Sequence, residues 1–194
     1  MYGKSSQTVM IAWFVTAVVS AVATSRPERW ALDIARVVQG EWWRLASGHL
    51  VHLSWQHFRY DLLALGLALY LSSRLEEDVT TIAFSVLFSA ALTSAVLLVM
   101  HPVDIYGGLS GITAGLLACA AIRMIADNRW LSGSVLLIAM LFKICLERQG
   151  ISASGVLPVW QAHCAGAVAG AIVSVSLLKH RFLIISKRES RSTT

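Results

Sequence analysis

The chain has 194 residues, 56% of them hydrophobic and only 14% charged, against about 25% charged in an ordinary soluble domain. Mean hydropathy is +0.65 and the net charge is +5. A chain of this size must show water a polar surface unless lipid surrounds it, so a soluble enzyme, a disordered chain and a fibrous protein are excluded, and an all-α polytopic membrane protein is left.

Six apolar runs follow one another, at residues 8–24, 55–75, 81–100, 110–125, 130–146 and 160–178. A spanning helix needs about 20 apolar residues, so six account for roughly 120 and leave short loops with no room for a separate soluble domain. The first run follows Lys4 and has the look of a leader, but no small-residue cleavage signal precedes Arg26 and five runs follow, so it reads as a retained helix. Residues 26–54 form the longest connection. Their apolar Trp30, Leu32, Ile34 and Val37 alternate with charged Glu28, Asp33 and Arg36, and Trp42 and Trp43 suit a membrane–water boundary. This loop reads as an interfacial helical hairpin rather than a span.

Six spans place both termini on one side. Nine Lys and Arg residues fall on that side, five of them in the tail (Lys179, Arg181, Lys187, Arg188 and Arg191), against six on the other. The excess places both termini, with the basic tail 179–194, in the cytoplasm, and the tail reads as anchoring beside the bilayer rather than nucleic-acid binding. Cys119, Cys145 and Cys164 lie in or beside apolar runs without a CxxC spacing, and read as core-filling residues rather than a disulfide framework.

Polar groups at membrane depth are costly and mark function. In this topology spans 2, 4 and 6 enter from the same outer face. His57, Ser110 and His163 each lie near the start of one of them, at one depth. Span 4 carries Gly111 and Gly115 at spacing four. Span 6 carries Ala162, Gly166 and Gly170 at the same spacing. Small residues repeated every four positions let helix backbones approach closely. Ser110 adjoins one small face and His163 borders the other, so packing the two faces brings a hydroxyl to an imidazole. A serine becomes a nucleophile when a neighbouring base takes its proton, and histidine is the commonest such base. Gly107, Gly108 and Gly111 allow a sharp turn into span 4, whose amides, with His57, are candidate holders of an oxyanion. The alternative for Ser110 is a plain helix cap.

Tyr106-Gly107-Gly108-Leu109-Ser110-Gly111, followed by Ala162-His163-Cys164-Ala165-Gly166, resembles the rhomboid intramembrane serine proteases. Their serine lies in a GxSG opening the fourth span and their histidine in an AHxxG of the sixth. The stretch Gly48-His49-Leu50-Val51-His52 to His57 is similar to their histidine-rich start of span 2. The resemblance covers roughly residues 41–178. It implies a six-transmembrane-helix rhomboid-like bundle, with Ser110 and His163 as catalytic dyad and His57, Gly108, Leu109 and Asp61 on the oxyanion side. It implies no cofactor and no metal, so His49, His52 and His57 are not expected to hold zinc. Asp61 stands where the family's HxxxN motif has asparagine. It is left as neutral, paired with Arg59 or His57, or turned away. Glu76 resembles a structural acid of the family.

Glu41-Trp42-Trp43-Arg44-Leu45, Trp55-Gln56-His57, and Lys143, Glu147 and Arg148 are similar to the bacterial rhombosortase subgroup. That implies substrates with a GlyGly-type C-terminal anchor, in the bacterial inner membrane, with the site toward the periplasm. The implied partners are transmembrane protein substrates and the lipid bilayer, not nucleic acid. The alternative function is a non-catalytic rhomboid-like protein that binds transmembrane clients, and a small transporter is a third reading.

Overall fold

A computed structural model describes the backbone of residues 4–152 and 155–192 and the side chains of residues 7–152 and 155–179. Six longer helices are α1 (Lys4–Thr24), α5 (Trp55–Arg74), α6 (Val79–Met100), α7 (Ser110–Ala126), α8 (Trp130–Arg148) and α9 (Trp160–Ser192). Between α1 and α5 lie the short helices α2 (Pro27–Trp30), α3 (Ile34–Val38) and α4 (Arg44–Ser47), and the two-residue strand β1 (Leu32–Asp33). A second strand, β2 (Ile105–Tyr106), precedes α7.

Four of the helices are long and apolar enough to cross a membrane, over Gln7–Thr24, Val79–Met100, Trp130–Arg148 and Trp160–Lys179. The chain is thus a mostly helical, multi-pass membrane protein. The sequence suggested six spans, and the two helices outside these four differ for identifiable reasons. α5 interrupts its apolar residues with Arg59, Asp61 and Arg74. α7 has 17 residues, eleven of them buried among other helices.

α7 is the centre of the bundle. Leu109, Ile112 and Leu116 pack on Leu65, Ala68 and Leu69 of α5. On its other side α7 meets α9 at glycines. A methyl built on Gly166 would stand 2.7 Å from the carbonyl carbon of Gly111 and 3.1 Å from its Cα, and one on Gly170 would press on Gly115 in the same way. α6 supports this contact with buried Thr81, Ser85, Ser89 and Thr93, again every fourth residue. Thr93 faces Gly111, and Ser89 faces Gly115. Lipid tails are as apolar as leucine, so close van der Waals packing of this kind, rather than hydrophobic burial, draws spanning helices together.

The helix ends have local causes. Ser54 caps α5 by accepting from the His57 amide at 3.1 Å, and Asp78 caps α6 through the Thr81 amide at 2.7 Å, each satisfying an amide the helix leaves open. The long loop is not the simple helical hairpin expected. It is three short helical pieces and a strand. β1 pairs antiparallel with β2, Leu32 opposite Tyr106 and Asp33 opposite Ile105, and the pair ties the loop to the segment entering α7. Buried Arg44 fastens the loop from within, donating to the carbonyls of Ala31 at 2.7 Å and Glu28 at 3.3 Å, and pairing with Glu41 at 2.6 Å. Trp42 and Trp43 remain exposed.

The buried acid after α5 is Glu77, not Glu76. Glu76 has a left-handed backbone, φ 54°, at the turn out of α5, and it lies exposed while Glu77 meets Cys119 of α7. Burial pushes the Glu77 carboxyl above its ordinary range. The side chains of the basic tail beyond Lys179, namely Arg181, Lys187, Arg188 and Arg191, lie outside the described residues.

Candidate active site

Ser110 is the first residue of α7. The residue before it, Leu109, stands at the N-cap position and makes no side-chain capping bond. Ser110 is therefore inside the helix rather than its cap, half-buried, with its side chain on the wall of a cavity of about 520 Å³. His57, Asp61 and His163 line the same cavity, together with Lys143 and Glu147 of α8. A smaller cavity of about 110 Å³ shares Asp61, Ser110, Lys143 and His163 and runs on between α7 and α8. Three helices thus bring Ser110, His163 and His57 to one space, as the common depth of the three residues in sequence suggested.

The backbone just before Ser110 is held tightly. The Gly108 amide donates to the Gly48 carbonyl at 3.1 Å, and the Tyr106 hydroxyl donates to the Gly108 carbonyl at 3.0 Å. A methyl on Gly108 would sit 2.9 Å from the His57 ring and 3.1 Å from Asp61 Oδ2, so only glycine lets this turn lie against α5. The Leu109 amide points at His52 Nε2 across 3.5 Å. Gly108 and Leu109, expected to offer amides to an oxyanion, thus have those amides directed at Gly48 and His52. The helix still leaves its first amides, from Ser110 onward, without intrahelical partners.

Asp61 is buried and does not pair with Arg59, whose Nε donates to the Trp55 carbonyl at 3.3 Å. Asp61 Oδ2 lies 3.1 Å from His52 Nε2 and 3.3 Å from His57 Nε2. Both imidazoles lie within hydrogen-bonding reach of one carboxylate oxygen, and their rings meet edge to face with centroids 5.1 Å apart. His57 Nδ1 is buried without a hydrogen-bond partner among the described residues. His52 is fully buried, its Nδ1 3.5 Å from the Thr24 hydroxyl of α1. Its place beside Asp61 was not read from the sequence, although its spacing of nine residues and its apolar neighbours were available signals. His49 turns elsewhere, with Nε2 2.9 Å from the Ser94 hydroxyl of α6. Burial lowers its pKa from the ordinary 6.5 to about 4. Among the described residues, no three His, Cys, Asp or Glu side chains converge as a metal site.

His163 is buried at the start of α9, three residues before Gly166. Its Nδ1 contacts the Glu147 carboxylate, and the other Glu147 oxygen contacts the Lys143 ammonium. The sequence marked Lys143 and Glu147 only as subgroup features. Their meeting with His163 joins helices that no local pattern pairs.

Comparison with curated proteins finds no match. A family model described as Rhomboid domain matches residues 39–180, most of the chain and every residue of this cavity. The chain belongs to the rhomboid family, whose members are in general intramembrane serine proteases.

Proposed function

We propose that this protein is a serine endopeptidase that cuts membrane-tethered proteins at or beside their transmembrane anchor. The observation that carries the reading is a cavity shared by Ser110 at the α7 N-terminus and His163 across the glycine contact. Ser110 Oγ attacks the scissile carbonyl while His163 Nε2 takes its proton. The carbonyl oxygen becomes an oxyanion, held by the open amides at the start of α7 and by His57. As the tetrahedral adduct collapses, the C–N bond breaks and His163 returns the proton to the leaving amine. Water, activated in turn by His163, then hydrolyses the acyl-enzyme and frees Ser110. Asp61, held between His52 and His57, fixes the orientation of His57 in this scheme.

Six spans, α1 and α5 to α9, cross the bilayer with both termini in the cytoplasm, which places the cavity in the outer, periplasmic half of a bacterial inner membrane. The substrates are secreted proteins with a GlyGly-type C-terminal anchor, a glycine-rich motif before one span and a basic tail. Support for this finer part comes from the sequence likeness of Glu41-Trp42-Trp43-Arg44-Leu45 and Trp55-Gln56-His57.

A fluorophosphonate probe tests the proposal without a known substrate. Purified protein in detergent should carry the label on Ser110, mapped by peptide mass spectrometry, and His163→Ala should lose it. Folded wild-type protein that takes no label would favour a client-binding, non-catalytic member instead.

A further inference from the structure

α8 is the least buried of the helices around the cavity. It packs against α7 through Gly133, and Gly133 and Glu147 are its two buried residues. A carboxylate in an apolar spanning helix is costly unless it is fully paired. Glu147 is fully paired. One oxygen meets Lys143 Nζ, one helical turn earlier on α8, and the other meets His163 Nδ1 on α9. Lys143 Nζ also lies 3.5 Å from His163 Nδ1, but an ammonium has no lone pair to accept the imidazole proton. The carboxylate is therefore the partner of the Nδ1 proton, and the ammonium fixes the carboxylate. Besides Lys143 and His163, the smaller cavity is lined by the polar groups of Asp61 on α5 and of Ser110 and Thr113 on α7.

We propose that Glu147 is the positioning residue of His163, so that Ser110, His163 and Glu147 act as a triad rather than a dyad. This rests on the reading of His163 as general base. With the Nδ1 proton donated to Glu147, the imidazole keeps its lone pair on Nε2, the nitrogen left to face Ser110. Glu147 also balances the positive charge His163 gains when it takes the serine proton. No proton passes to Glu147 in this role, and the carboxylate remains an acceptor throughout. Its placement on a separate helix, outside the glycine contact of α7 and α9, means that the base is oriented by a different element from the one that sets its distance to the nucleophile.

Glu147→Gln is the direct test, in the full chain in detergent, with an alkyl fluorophosphonate as probe. The amide nitrogen of glutamine would donate to Nδ1 and force the proton onto Nε2, where it blocks the base. The saturated labelling rate of Ser110 should fall by roughly 10²- to 10⁴-fold, as for removal of a triad orienter, while the probe concentration giving half that rate stays unchanged. Glu147→Asp, which keeps the charge, should recover a large part of the lost rate. A proton NMR spectrum of the wild type should hold a far-downfield imidazole N–H signal that is lost in both Glu147→Gln and His163→Ala. A merely structural Glu147 gives a different pattern: a lower thermal midpoint with an unchanged saturated rate in the folded fraction, and that result overturns the inference. If Glu147→Gln does not fold, the wild-type spectrum against His163→Ala still decides, because absence of the downfield signal overturns the proposal. Wild-type protein that never labels at Ser110 overturns both this inference and the proteolytic reading. Loss of label in Ser110→Ala and His163→Ala together with full labelling in Glu147→Gln overturns this inference alone.

Discussion

Replacing Gly166 with alanine adds one methyl at the place where α9 touches α7. That carbon would stand 2.7 Å from the Gly111 carbonyl carbon and 3.1 Å from its Cα, whereas non-bonded carbons settle at about 3.5–4.0 Å. The methyl would press hardest on the Gly111 carbonyl oxygen, its nearest neighbour, so the helices must separate by at least about 1 Å. Gly111 directly follows Ser110, and Gly166 lies one turn after His163, so the separation is transmitted to the nucleophile and base with little loss. A misplacement of about 1 Å can cost roughly 10²-fold in rate. Overpacking costs about 1–3 kcal/mol, less than the 5–15 kcal/mol that typically holds a domain together. The geometric effect wins, and the variant should be folded but slow. The assay is the rate of fluorophosphonate labelling at Ser110 beside the thermal midpoint in detergent. Val168→Ala, an exposed position on the same helix, is the control and should label at the wild-type rate. Gly166→Leu and Gly115→Leu should abolish labelling. Folded Gly166→Ala that labels as fast as the wild type would refute the idea that the glycine contact sets the distance between Ser110 and His163.

Two other perturbations follow from the polar network. Asp61→Ala removes the carboxylate that the Nε2 groups of His52 and His57 share, at about 1–3 kcal/mol for each buried polar group left unpaired. Asp61→Asn keeps an acceptor oxygen and restores the family's HxxxN pattern, and Arg59→Ala touches neither imidazole. Thermal unfolding in detergent should therefore rank Asp61→Ala well below the other two, and equal midpoints for all three would contradict the His52–Asp61–His57 arrangement. His49 predicts a pH effect. Its pKa is lowered from 6.5 to about 4 by burial, so between those values the unfolded chain binds a proton that the folded chain does not. Stability then rises with pH across this window and falls as the medium is acidified, by about 3 kcal/mol at the lower end. His49→Gln should flatten that part of the stability–pH curve, and an identical slope in both proteins would show that His49 is not the group responsible.

The sequence was most legible where one helix face repeats. The spacing of Gly111 and Gly115 and of Ala162, Gly166 and Gly170 could be read as two faces in contact, because small residues four apart have few other uses in a spanning helix. The starts of α5, α7, α8 and α9, at Trp55, Ser110, Trp130 and Trp160, coincide with the edges of the apolar runs. Contacts across the bundle were harder to read. Glu147 and His163 are 16 residues apart on separate helices, and nothing periodic links them. Lys143 and Glu147, one helical turn apart at the end of the otherwise apolar stretch from Val135 to Leu146, were the available hint. The pairing of Leu32 with Tyr106 reaches across α5 and α6 from the first loop to the segment before α7, and a two-residue strand carries no alternation pattern. At Glu76 and Glu77 the choice of buried acid turned on one left-handed backbone angle, which two adjacent glutamates do not reveal. Asp61 was ambiguous because its partner His52 lies in the loop before α5, while Arg59 stands two residues away on the same helix and points outward.

Proteolysis itself is the most direct test of the account. Wild-type protein and Ser110→Ala should be co-expressed with a panel of membrane-anchored substrates, GlyGly-type anchors among them, and release of the soluble product measured alongside the amount of folded enzyme. The wild type should cleave at least one anchored substrate, and Ser110→Ala, equally abundant, should cleave it slower by several orders of magnitude, as for other removed nucleophiles. Cleavage by Ser110→Ala at a rate near that of the wild type would contradict the account.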